Sequence, residues 1–442
     1  MTTHRDLAAL VQEHRITFLL AMMVDLNGKP CAKLVPAEAL EQLATEGVGF
    51  AGYAAGALGQ KPHDPDLIAV PDVASFTPVP FVKEGLAIVH CDPHVEGKPW
   101  PFAPRVILRS IVENAAAQGF APYAGAEVEY FLLKRDDDGR LVPADASDVA
   151  DQPCYDARGL TRMYEHLTAI STAMNELGWG NYANDHEDGN GQFEQNFAYA
   201  DALTTADRVV TLRYLLNVLA EERGMIATFM PKPFANRTGS GLHLHLSLRD
   251  TATGSPVFPR HGEQTDTIGL GLSGTAYSFV AGILEHATAL QAVIAPTVNS
   301  YKRTGAVASS ASGATWAPKQ PTYGGNDRTH YVRIPDDQRI ELRGGDGSAN
   351  PYLAIAAAVA AGLDGVERGL ELGAIGSGPD THFPPTLLHA VEAFEDDKVV
   401  RGTLDAAGEG VSEYFAGLKK DEFFTYHAAV SPWEHDRYLT AF

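Results

Sequence analysis

Three segments of the chain alternate polar and apolar residues with a period of two. In AEVEYFLL (126–133), Glu127 and Glu129 fall on one face of a strand and Val128 and Tyr130 on the other, because successive side chains leave the pleat on opposite sides. In GSGLHLHLSL (239–248), His243, His245 and Ser247 share a face opposite four leucines, and in RIELR (339–343) Arg339, Glu341 and Arg343 line up likewise. Other segments carry the longer helical period: an amphipathic stretch at the N-terminus, one from about Arg105 to Gln118, and TTADRVVTLRYLLNVLAEERG (204–224). For that last helix the pattern predicts Thr204 or Thr205 as N-cap, Asp207 in the first turn and Gly224 past the end. A further helix opens at Asn350-Pro351. Near the start, FLLAMMVD and KPCAKLVP flank Asn27-Gly28, a hairpin signal. The Pro-rich HVEGKPWPFAP (94–104) reads as a boundary, dividing the chain into a small domain, 1–103, and a large one, 104–442. The class predicted is α+β.

Composition narrows the partners. The chain has 442 residues, 45% of them apolar, which supports sizeable cores. Its formal charge is −22, from 56 acidic against 34 basic residues, so nucleic acid and anionic membranes are poor partners. An anionic substrate therefore needs a local cluster of arginines. Cys31, Cys91 and Cys154 lie far apart without metal or disulfide spacing, the pattern of free thiols in a reducing cytoplasm. Neither a signal peptide nor a membrane-spanning run is expected.

A single striped strand is an ordinary half-buried strand with a wet face. Together, however, the three stripes carry almost only Glu, His and Arg. HEDGNGQFE (186–194) adds Glu187 and Glu194 around two glycines, on what the pattern predicts is a loop. Five carboxylates with one imidazole and no thiolate suit Mg²⁺ or Mn²⁺ better than zinc. Beside Arg303, Arg328, Arg333, Arg339 and Arg343, such cations suit phosphate chemistry on a nucleotide triphosphate. No Gly-rich phosphate loop is present to explain the arginines otherwise.

At ATFMPKPFANRT, followed by GSGLHLHLSL, the chain resembles the glutamine synthetase superfamily. The resemblance continues through NSYKR, NDRTHYVRIP, RIELRGGDGSANPYLAIAAAVAAGLDG and WEHDRYL, in the family's order. It implies a β-grasp N-terminal domain, a catalytic funnel of antiparallel strands, and ring-shaped oligomers, usually dodecamers of two hexamers with sites shared between neighbours. It also implies that ATP phosphorylates the γ-carboxylate of glutamate and that an amine then displaces phosphate. By motif, Glu127, His243 and Glu341 are the ligands of one Mg²⁺ or Mn²⁺, and Glu129, Glu187 and Glu194 those of a second. His245 and Ser247 touch the nucleotide, with Arg328, Arg333 and Arg339 on its phosphates. Glu129, Gly239, His243, Arg303 and Arg343 surround glutamate, where a guanidinium fork fits carboxylate bidentately. Arg328 and Glu187 take the catalytic roles, the first toward the transferring phosphoryl group and the second as acceptor of the amine's proton.

Departures from the family pattern concern the amine. Ammonia-using members carry an aspartate and a serine where GVGFAGYAAG (47–56) has Ala51 and Ala54. Their flap glutamate has no counterpart in TGAVASSASGATW, which ends at Trp316, and Thr238 replaces an asparagine. Losing a carboxylate weakens an ammonium site, whereas methyl groups and the aromatics Tyr155 and Trp316 make room for an alkyl amine. The resemblance is therefore greatest to the methylamine-using branch of the superfamily. Ammonia, ethylamine, ethanolamine or a polyamine are the alternative nucleophiles, and a catalytically inactive relative is a remoter alternative that the complete ligand set opposes.

Overall fold

The structure is a computed structural model and describes residues 2–260, 262, 266, 268–304 and 317–442. Its N-terminal part opens with helix α1 (Thr2–Glu13), which buries Leu7 and Val11. The Asn27-Gly28 signal is a hairpin as expected, joining β1 (Phe18–Val24) to β2 (Pro30–Pro36). With β3 (Val48–Phe50), β4 (Leu67–Pro71) and β5 (Leu86–Val95) they form the sheet path β2-β1-β5-β4-β3, in which β1 and β5 run parallel. Both faces of this sheet are covered. Leu19, Ala21 and Met23 of β1 join one core with α1, while Met22 and Val24 join the second, larger core. The Pro-rich segment 94–104 turns the end of β5 back on itself before α2 (Pro104–Ala117) begins.

Among the described residues the second sheet has ten strands. Its spine is β6 (Phe120–Arg135), flanked by β7 (Asn184–His186) and β8 (Gln192–Asn196) on one side and β9 (Leu242–Asp250) on the other. Beyond β9 lie β10 (Tyr323–Gly324), β11 (Val332–Arg333) and β12 (Ile340–Leu342), giving the order β7-β8-β6-β9-β12-β11-β10. All of these pairings are antiparallel except β10 with β11. The arrangement is the α+β architecture expected. Glu194 is a correction: it stands on β8, and the loop is confined to 187–191 between two paired strands.

Helices α3 (Ala202–Glu221), α4 (Gly274–Glu285), α5 (Ala287–Ile294) and α6 (Pro351–Arg368) build the large core. Asn350 caps α6 through the Tyr352 amide, as its sequence predicts. The cap of α3 differs from expectation. Asp201 caps it by accepting from the Thr204 amide, and the Thr205 hydroxyl instead donates to the Ala124 carbonyl of β6. Asp207 is buried against Arg105 of α2. That guanidinium, 4% exposed, also reaches Asp92 at 2.7 Å and Asp72 at 2.8 Å, so it pins the N-terminal sheet to the catalytic helices. Among the described residues no single helix is long and apolar enough to cross a membrane; α4 and α5 qualify only as a pair bent by 74° and lie in the core. All three cysteines are free.

Candidate active site

The register of β6 against its neighbours assembles the stripes. Glu127 stands opposite His243 of β9, and Glu129 opposite Glu194 of β8. One strand farther, His245 pairs with Glu341 of β12, and Glu341 with Arg333 of β11. Opposed residues share a face with Cβ atoms about 5 Å apart, so three local alternations become one polar patch. The face is not wet: Glu129, Glu194, His243, Glu341 and Arg343 are all buried.

Hydrogen bonds divide the patch in two. Glu127 receives His243 Nδ1 at 2.9 Å and His245 Nε2 at 2.8 Å. Arg333 donates to Glu341 at 2.6 Å, and Arg343 donates to the same carboxylate. Burial alone would raise both acids, but the bonds from His243 and His245 hold Glu127 far below the usual carboxylate range. The charges of His243 and Arg343 likewise lower Glu341. Glu187 and Glu194 behave oppositely. Burial, then repulsion from neighbouring acids (Glu129 foremost for Glu187, Glu127 for Glu194), pushes both well above that range. Among the described residues Glu194 has only the Asn196 amide at 2.7 Å, while Glu129 accepts from the Gly241 amide at 2.7 Å and from Gln192 at 3.1 Å.

Buried carboxylates left without a basic partner among the described residues suit a divalent cation. Ligand atoms of Glu127, Glu194 and His243 lie within 4.8 Å of one another, as do those of Glu127, His245 and Glu341. They are hard oxygens with imidazole nitrogen, and no thiol belongs to either group. The compact groupings differ from the two triads expected by motif, because Glu127 belongs to both and His245 enters one.

Two cavities are each lined in part by these carboxylates. One, of about 430 Å³, is lined by Glu127, Tyr199, His245, Ser247, Arg249 and Arg339, within the size range of ligand pockets. The other is narrow and lined by Glu129, Glu187, Lys232, Gly239, His243 and Arg303. Arg303 is buried, bonded only to the Gly344 carbonyl at 3.3 Å among the described residues, and burial lowers its pKa. Two glycines make room. A Cβ on Gly239 would lie 2.5 Å from the Pro231 carbonyl oxygen and 2.8 Å from Arg303 Cγ. One on Gly241 would meet His243, Glu129 and Arg303 together. Thr238 is buried in the wall of the same pocket.

The remaining predicted residues are less gathered. Arg328 is exposed, and Arg339 is bonded to His245 at 3.2 Å and to Asp336 at 2.5 Å. Arg333 and Arg343 both face Glu341. Tyr155 is 67% exposed, with its backbone at φ +62°, and its amide donates to the His186 carbonyl at 2.8 Å. Ala51 and Ala54 are exposed on the short turn of helix after β3 and line neither cavity. Trp316 and most of its flap segment lie outside the described residues. Gln192 was not predicted, although QFEQN carries a stripe of its own: Gln192, Glu194 and Asn196 are buried on one face of β8. Burial and then the charges of Glu187 and Asp188 push the Cys154 thiol up to about 12, which disfavours its thiolate.

Comparison with known proteins identifies the family. The family model described as glutamine synthetase, catalytic domain, matches residues 101–438. The glutamate–methylamine ligase of Methyloversatilis universalis is 41% identical over 98% of both chains. A glutamine synthetase of Rhizobium leguminosarum bv. phaseoli is 40% identical over 98% of this chain and 99% of its own. A solved GmaS/ADP complex superposes with a TM-score of 0.89 at 44% identity, covering 98% of this chain and 99% of the other. A GmaS structure without ligand gives 0.89 at 43% identity, with the same coverage. By the extent of the matched sequence and the site it encloses, this chain belongs to the glutamine synthetase family.

Proposed function

We propose that the protein is an ATP-dependent glutamate–methylamine ligase. The γ-carboxylate of L-glutamate attacks the γ-phosphorus of ATP and releases ADP. Methylamine then displaces phosphate from γ-glutamyl phosphate, loses a proton, and leaves γ-glutamylmethylamide. The observation that carries the reading is the position of the carboxylate cluster. It stands between a cavity of nucleotide size and a pocket holding a buried arginine, as phosphoryl transfer between two anionic substrates requires. Two or more Mg²⁺ or Mn²⁺ ions held by Glu127, Glu129, Glu187, Glu194, His243 and Glu341 supply charge neutralisation for the phosphates. His245, Ser247 and Arg339 contact the nucleotide, Arg328 and Arg333 its phosphates, and Arg303 and Arg343 the carboxylates of glutamate. Glu187 accepts the amine's proton.

Methylamine is favoured over ammonia by residues, not by rank of identity, since the ligase and the synthetase above differ by one per cent. Ala51 and Ala54, exposed in one chain, complete a neighbouring subunit's site in a dodecameric ring, with Tyr155 and Trp316 around the methyl group. The units are the β-grasp domain, 1–103, and the catalytic domain, 104–442, working in the cytoplasm. Phosphate release from ATP and glutamate should be at least about tenfold faster with methylamine than with ammonia at equal free-amine concentration, the scale on which a methyl-sized pocket discriminates. Equal or better turnover with ammonia would refute the assignment. Ala51→Asp should shift preference toward ammonia, and an unmoved ratio would remove Ala51 from the pocket.

A further inference from the structure

The loop bearing Glu187 is held from behind by two side chains with no part in the chemistry above. Asp148 and His186 are both buried. Asp148 Oδ2 accepts from His186 Nε2 at 2.9 Å and from the Gly191 amide at 2.5 Å, while Oδ1 accepts from Asn190 Nδ2 at 3.1 Å. The other ring nitrogen of His186 donates to the Glu187 carbonyl at 2.8 Å. Both ends of the 187–191 loop are thus tied to one carboxylate. The connection reaches farther, because the His186 carbonyl receives the Tyr155 amide at 2.8 Å. At φ +62° that tyrosine occupies a region that a bulky residue enters only at a cost, so something must hold it there. The imidazole itself is wedged in place. Phe193 packs against it at 4.8 Å between ring centroids, and a Cβ on Gly159 would lie 2.5 Å from its Cδ2.

We propose that Asp148 and His186 are positioning residues that set the amine end of the site, fixing the Glu187 carboxylate and the Tyr155 ring relative to each other. The inference rests on the amine-ligase reading. Buried ion pairs stabilise little beyond an apolar pair of equal volume, so stability is a poor reason for this one. What an apolar pair cannot do is bond to the loop at 187, 190 and 191. Ligand-orienting partners of this kind typically change function by about ten- to a hundredfold when removed.

The test uses the full-length enzyme at saturating Mg²⁺ with two variants. His186→Phe keeps the ring packed on Phe193 and removes both of its bonds; Asp148→Asn keeps the shape and removes the charge. In each, the KM for methylamine should rise about tenfold or more, with the KM for ATP within about twofold of wild type. An unchanged methylamine KM overturns the proposal, as does a uniform rise in every KM accompanied by a fall in Tm, the signature of a merely structural pair. Should His186→Phe fail to fold, Asp148→Asn gives the same reading alone. Wild-type enzyme inert toward methylamine defeats the ligase reading itself; active wild type with unmoved variants defeats only this inference.

Discussion

Two buried charge clusters in this chain obey the same physics with opposite results. At the seam between the sheets, Arg105 and Arg109 meet Asp72, Asp92 and Asp207, and every one of these carboxylates touches a guanidinium within 3.0 Å. Burial would raise Asp72 and Asp207, but Arg105 outweighs it and both titrate below their ordinary range. In the active site Glu127 and Glu341 have basic partners and fall, whereas Glu187 and Glu194 have none among the described residues and rise. A buried acid facing other acids is costly unless a countercharge arrives. The seam therefore brings its own counterions and holds the fold, whereas Glu187 and Glu194 form the kind of uncompensated acidic group that a bound cation would stabilise.

The comparison is broken most directly at the seam. Arg105→Met strands the buried Asp207 carboxylate and leaves Asp72 and Asp92 to Arg109 alone, and should destabilise the protein by about 3–5 kcal/mol in urea unfolding, with little change in activity per folded molecule. A loss below about 1 kcal/mol would mean the aspartates find water instead. Metal is the next lever. Mg²⁺ at a hundredfold excess over its Kd should stabilise the protein by about 2.7 kcal/mol relative to EDTA, read as a Tm difference. The sign with pH follows from the raised carboxyls. Without metal, the stability that Glu187 and Glu194 contribute is present below their ordinary value of 4.5 and is lost as pH rises through the raised folded values. Metal binds their ionised forms, so the Tm gap should widen with pH across that window. A gap independent of pH would show that other groups are being neutralised. The smallest effect sharpens the contrast: Glu194→Gln should abolish most activity yet raise metal-free stability by about 1–2 kcal/mol, the reverse of the arginine change. A lower metal-free Tm in this variant would contradict strain at the site.

What was legible in the sequence follows the range of the interactions. Alternation is local, so Glu127 with Glu129, His243 with His245, and Glu341 with Arg343 could be placed on common faces. That these faces oppose one another is set by strand register across more than a hundred residues, and only the family resemblance supplied it. The helix opening at Asn350 was visible because its cap lies within two residues. The cap of α3 was missed because Asp201 and two threonines offered equivalent signals, and tertiary contacts chose among them. Asp207 looked like a first-turn acid, yet its partner Arg105 lies 102 residues away. Gln192 and Asp148 have partners 38 to 63 residues distant, which no periodicity reveals.

The Asn27-Gly28 turn, read first as a simple hairpin signal, has a consequence for the order of folding. Asn350 donates to the Asp25 carbonyl at 2.9 Å, 325 residues along the chain, and Lys419 of α7 (Val411–Ala428) donates to Asn27 at 2.9 Å, 392 residues along. During synthesis the hairpin emerges 325 and 392 residues before the two groups that clasp it. One face of the N-terminal sheet, with Met22, Val24 and Ile88, belongs to the large core and is completed only by segments made after it. Contacts of such separation close slowly and leave apolar surface open to misassociation meanwhile. The nascent chain thus elongates by more than three hundred residues with this turn still waiting to be clasped.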